Sequence, residues 1–125
     1  MFSFELDRRL KATGSRVMSV AAHPGVAETN LFLREDYSAA EMAGRRVIGG
    51  IIGAFLNTDA EGALPTLYAA TAPEAVGGGY YGPQGFQEMR GGDVGNAQVS
   101  EQARDTAVAG RLWETCEALT GVRFM

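Results

Sequence analysis

The sequence predicts an α/β fold built on a parallel sheet, and three observations point that way. An amphipathic helical stretch is followed by glycine and then by a short apolar run, Val17-Met18-Ser19-Val20-Ala21-Ala22. That order is the second half of a β-α-β unit. A capping box, Thr58-Asp59-Ala60-Glu61, opens a second helical stretch that leads into another short strand, Tyr80-Tyr81. A last helical stretch closes the chain.

Each element follows from local chemistry. Phe2, Leu6 and Leu10 recur every fourth residue with charges between them, which predicts a helix over 1–14 with Gly14 as its stop. Val17–Ala22 is nearly all apolar, as in a strand buried on both faces. His23-Pro24-Gly25 ends it, since proline gives no ladder donor and glycine allows a sharp turn. The strand and its Pro-Gly loop therefore occupy 16–30. Ala39–Leu56 has helical character interrupted by Gly44, Gly49, Gly50 and Gly53. The helix over 58–72 carries Leu64, Leu67, Tyr68 and Thr71, should kink at Pro65 and stops before Pro73. Gly77-Gly78-Gly79 forms a turn into a strand over 79–83, and Gly82–Asn96 reads as a glycine-rich loop. One helix is expected over 100–120, with Val108, Leu112, Cys116 and Leu119 on its apolar face. Two strands do not make a covered sheet, so further strands are expected before Met1.

Composition narrows the function. Of the 125 residues, 46% are hydrophobic and 21% charged, which fits a packed domain and not a disordered chain. A net charge of -4 argues against nucleic acid or an anionic membrane as partner. The single cysteine, Cys116, excludes an intramolecular disulfide and fits a reducing compartment. No signal peptide is evident, and the most apolar run, Val47–Leu56, is far short of the roughly 20 residues that span a bilayer. The protein is therefore expected to be soluble and cytoplasmic.

The informative stretch is His23-Pro24-Gly25-Val26-Ala27-Glu28-Thr29-Asn30. In open α/β sheets, ligands bind beyond the carboxyl ends of the strands. A Pro-Gly turn there exposes peptide groups that no ladder uses, and these match a carboxamide, which offers both a donor and an acceptor. Thr29 adds a hydroxyl suited to a helix cap or an anionic phosphate.

This segment resembles the Pro-Gly-x-x-x-Thr element of the short-chain dehydrogenase/reductase family. Phe4–Leu10 is similar to the end of that family's long catalytic helix, and Ser19–Gly25 to its sixth strand. Glu61–Pro65 with Leu67–Thr71, and Gly79–Pro83, resemble the helix and strand that follow. Arg111-Leu112-Trp113-Glu114 and Leu119–Val122 resemble the tail of the branch that includes retinol-dehydrogenase-like and protochlorophyllide-reductase-like members. The resemblance implies an α/β fold that is the C-terminal part of a Rossmann-type, doubly wound parallel sheet, with about two strands and four or more helices. It implies an oxidoreductase that moves a hydride between NAD or NADP and a carbonyl or alcohol. Pro24, Gly25, Val26 and Thr29 would hold the nicotinamide side of the cofactor. Residues 31–57 would form the substrate lid, with Phe32, Val47, Ile48, Ile51, Ile52 and Phe55 facing an apolar substrate. A homo-oligomer, or association with a missing N-terminal part, is also implied.

The family's catalytic Tyr-x-x-x-Lys pair is not in these residues: Tyr37 is followed at that offset by Glu41, and Lys11, the sole lysine, is preceded by Asp7. No glycine-rich phosphate loop follows an opening strand. The expectation is therefore no catalytic residue, no activity and no cofactor binding from these 125 residues alone. The rival reading is an inactive truncated remnant that serves as an interaction module. Simpler roles attach to several residues. His23 and Cys116 read as structural, Glu5, Asp7 and Glu61 as solvated or capping acids, and Trp113 as a core or interface anchor. No metal site is expected.

Overall fold

The computed structural model describes residues 1–26 and 57–124. The order is α1 (Phe2–Ala12), β1 (Ala21–Ala22), α2 (Asp59–Thr71), β2 (Tyr80–Pro83), β3 (Val94–Asn96), α3 (Glu101–Arg104) and α4 (Thr106–Thr120). A short 3₁₀ turn, Phe86–Glu88, lies between β2 and β3. The sheet has the order β1-β2-β3; β1 and β2 are parallel, while β2 and β3 are antiparallel. The parallel pair agrees with the sequence reading of an α/β, Rossmann-like part.

The parallel ladder is short and well defined. Ala21 N–H donates to Gly79 C=O and His23 N–H to Tyr81 C=O, both at 2.9 Å. The predicted strand over Val17–Ala22 contracts to Ala21–Ala22, and Val17 and Met18 are exposed rather than buried. The reason is pairing: among the described residues, β1 has a neighbour on one edge only. The expectation of two strands is also corrected. Val94–Asn96 sits in the segment read as loop, yet Tyr81↔Asn96, Gly82↔Gly95 and Pro83↔Val94 pair in register. Three residues with a central glycine carry too little alternation to signal a strand.

The capping box of α2 is formed as expected. Glu61 N–H donates to Thr58 Oγ1 at 3.2 Å, and Thr58 N–H donates to Glu61 Oε2 at 2.8 Å. The helix continues as one element through Pro65, which is buried. The final helix is two helices, not one. Asp105 is the C-cap of α3 and the N-cap of α4, and its Oδ1 accepts from Ala107 N–H and Val108 N–H at 2.9 and 3.0 Å. The carboxylate satisfies donors at the start of a helix and so stabilises a new start at this point.

The packed face of α4 is rotated from the expected one. Ala109 and Trp113 are buried, whereas Leu119 is 83% exposed. Trp113 stacks on Phe2 of α1 with ring centroids 4.9 Å apart, lies under the Arg9 guanidinium, and donates its Nε1–H to Glu117 Oε1 at 3.0 Å. It is the core anchor the sequence suggested. Cys116 is half-buried beside it, in an open apolar groove of about 390 Å³ between α1 and α4.

Glu5 and Asp7 are not solvated acids. Both are almost fully buried, because each is neutralised where it sits. Glu5 binds Arg8 and Arg9 at 2.6 and 2.7 Å. Asp7 binds Lys11 at 2.6 Å and accepts from Ser19 N–H at 3.2 Å. The Asp7 carboxylate also lies against Gly77, where a Cβ would overlap it, so the glycine turn before β2 is shaped around this acid.

The hydrogen bond and charge of Arg8, with Arg9 adding to them, hold the Glu5 carboxyl below the ordinary glutamate value of 4.5. Glu61 is lowered by the Thr58 N–H, and Glu117 by the Phe124 N–H. All three bind protons more readily when unfolded, so stability is full above the unfolded value and falls with pH through the folded ones. Thermal midpoints are expected to hold near neutrality and to drop once the pH passes below about 4.5. A midpoint that rises on acidification would contradict this.

Candidate functional site

The Pro-Gly loop sits where the sequence placed it. β1 and β2 run the same way, so Pro24 and Gly25 follow β1, and Gln84 follows β2, at one carboxyl edge of the sheet. Gly25 has φ 69, in the left-handed region that favours glycine. A Cβ on it would overlap the Met89 carbonyl and crowd the Pro83 ring. The glycine is required on both counts.

The main-chain groups of Val26 are not spare. Its N–H donates to Met89 C=O at 2.7 Å, and its C=O accepts from Asn57 N–H at 2.9 Å. The expectation of unpaired peptide groups is corrected at this residue: the segment after β2 folds back far enough to pair with it. The complement that Val26 receives is one acceptor and one donor, the same pair that a carboxamide presents.

Asn57 is the site residue that sequence reading missed. It is 1% exposed, donates Nδ2–H to Pro24 C=O at 2.9 Å and accepts Gly91 N–H on Oδ1 at 2.9 Å. One side chain thus ties the Pro-Gly loop to the segment before β3. The only signal in sequence was its place just ahead of the Thr58 cap, and that predicts no long-range partner.

His23 also joins the two loops. Its Nδ1 accepts Gly25 N–H at 3.2 Å, and its ring meets Tyr80 with centroids 5.2 Å apart. Its Nε2 is buried without a hydrogen bond and lies 3.4 Å from Glu88 Oε2. Gly82 makes room for this, since a Cβ there would overlap Nε2. Gln87 and Glu88 have φ of 49 and 57. Left-handed backbone at non-glycine residues costs on the order of 1 kcal/mol each and concentrates at functional segments.

The structure therefore brings Pro24, Gly25 and Val26 together at the sheet edge. Thr29 and the proposed lid residues Phe32, Val47, Ile48, Ile51, Ile52 and Phe55 lie outside the described residues. Among the described residues, no cluster of side chains could hold a metal ion, and no helix is long and apolar enough to cross a membrane.

Comparison with known proteins gives one answer. No protein-family model matches the chain. Mouse retinol dehydrogenase 14 is 31% identical over 98% of this chain and 33% of its own length. Mouse polyprenol dehydrogenase is 34% identical over 97% of this chain and 32% of its own. A short chain dehydrogenase/reductase of Macrophomina phaseolina is 30% identical over 94% of this chain and 53% of its own. The crystal structure of an uncharacterized protein from Mycobacterium paratuberculosis superposes with a TM-score of 0.65 at 31% identity, covering 99% of this chain and 36% of that one. The chain is a homologue of the C-terminal part of short-chain dehydrogenases/reductases. It spans about a third of the length of the retinol and polyprenol dehydrogenases it matches.

Proposed function

We propose that this chain is the nicotinamide-side segment of an NAD(P)-dependent oxidoreductase that moves a hydride to or from a carbonyl or alcohol carbon. The observation that carries the reading is a Pro-Gly turn directly beyond the carboxyl end of a parallel strand, in a homologue of short-chain dehydrogenases/reductases. The cofactor would be NAD or NADP. Its carboxamide would take up Val26, in exchange for Met89 C=O and Asn57 N–H or by engaging the residues just beyond. Thr29 would lie on the same face of the ring or its phosphates. Residues 31–57 would cover an apolar substrate; retinol and polyprenol appear in the names of the relatives. The chain's own contribution is binding and orientation. The proton-transferring tyrosine and its lysine are not among these 125 residues. A cytoplasmic location and self-association belong to the same reading.

The experiment has two arms. The 125 residues alone are titrated with NADPH by fluorescence, and no binding is expected, because the adenine and phosphate halves of the site are missing from them. The reading frame containing them, with the sequence upstream of Met1 included, is assayed with NAD(P)H and apolar aldehydes, and turnover is expected. NADPH binding by the 125 residues alone, or no turnover by the longer frame, would contradict the proposal.

A further inference from the structure

We propose that His23 and Glu88 form a positioning pair, in which Glu88 selects the imidazole tautomer that lets His23 fix the Pro-Gly loop. His23 Nε2 is a buried polar atom without a hydrogen bond, which is uncommon enough to need a reason. It faces Glu88 Oε2 at 3.4 Å, slightly beyond ordinary hydrogen-bond length. A carboxylate only accepts, so the nitrogen facing it carries the proton when the ring is neutral. The other nitrogen, Nδ1, is then bare, and it accepts Gly25 N–H. Without an acceptor at Nε2, the ring could place its proton on Nδ1 and set it against that N–H.

Glu88 is held for this task. It and Gln87 adopt left-handed backbone, and its second oxygen, Oε1, accepts Gln98 N–H at 2.8 Å. The carboxylate therefore stands between two donors, one from each side. The next residue, Met89, accepts the Val26 N–H. Movement of this one segment would loosen both Gly25 and Val26. The consequence for cofactor binding rests on the reading of Pro24–Val26 given above; the tautomer does not.

His23 is the sole histidine, so its ring nitrogens can be read without ambiguity in nitrogen-15 spectra of the 125-residue protein. At roughly pH 8, where a free imidazole is neutral, one tautomer is expected, protonated on Nε2 and bare on Nδ1. In Glu88→Ala both tautomers should appear, and the Val26 amide should exchange about tenfold faster or more. Glu88→Gln, with one acceptor oxygen for two donors, should fall between. A wild-type ring protonated on Nδ1 or mixed would overturn the proposal, and needs no variant. An unchanged tautomer and Val26 exchange in a folded Glu88→Ala protein would do the same. If the tautomer shifts but the intact enzyme's KM for NAD(P) does not, the pair stands and the cofactor reading of the loop fails.

Discussion

Trp113→Ala is expected to cost about 3–5 kcal/mol, the range for removing a buried large aromatic. The side chain is 3% exposed and holds α1 to α4 through two contacts, the Phe2 stack and the Arg9 guanidinium, while its Nε1–H bonds Glu117 one turn further along α4. The ring also lines the open apolar groove beside Cys116. Such a loss is a large share of the 5–15 kcal/mol typical of a whole domain. Urea unfolding followed by circular dichroism should show the midpoint falling steeply. Trp113→Phe keeps the stack but drops the Nε1–H bond, and should lose about 1 kcal/mol. Equal losses in the two variants would mean that the ring packing contributes nothing.

Gly25→Ala should cost about 2–4 kcal/mol, the sum of a left-handed alanine and an overpacked contact. The new methyl meets the Met89 carbonyl, which is backbone and cannot rotate away. The same carbonyl accepts the Val26 N–H, so the substitution should also release Val26. Gly14→Ala is the matched control. Gly14 has the same φ of 69 with nothing near its Cβ, so it should show only the conformational part of the loss. If the two variants lose the same stability by urea unfolding, the clash at Met89 is not real.

Much of this was legible in the sequence. The α1 and α2 spans, the capping box, the parallel order of β1 and β2 and the Pro-Gly loop all rest on local signals. Several misses rest on distant partners, and the others on local pairs whose composition gives no sign of burial or of a second cap. Glu5 and Asp7 look like surface acids until Arg8, Arg9 and Lys11 are seen folded over them. Asn57 shows its role only once Pro24 and Gly91 converge on it. Val17 and Met18 have the composition of a buried strand but no strand on their outer edge among the described residues. β3 depends on β2 for its existence, and Asp105 breaks the last helix by offering a second cap inside an unbroken helical pattern.

The most direct measurement is a structure, with NAD(P) bound, of the protein encoded by the reading frame that carries these residues. The nicotinamide carboxamide is predicted within hydrogen-bond distance of main-chain atoms in the stretch from Gly25 to Thr29, beyond the end of β1. A ring seated elsewhere, with Val26 still bonded to Met89 and Asn57 and no cofactor atom near it, would contradict the account.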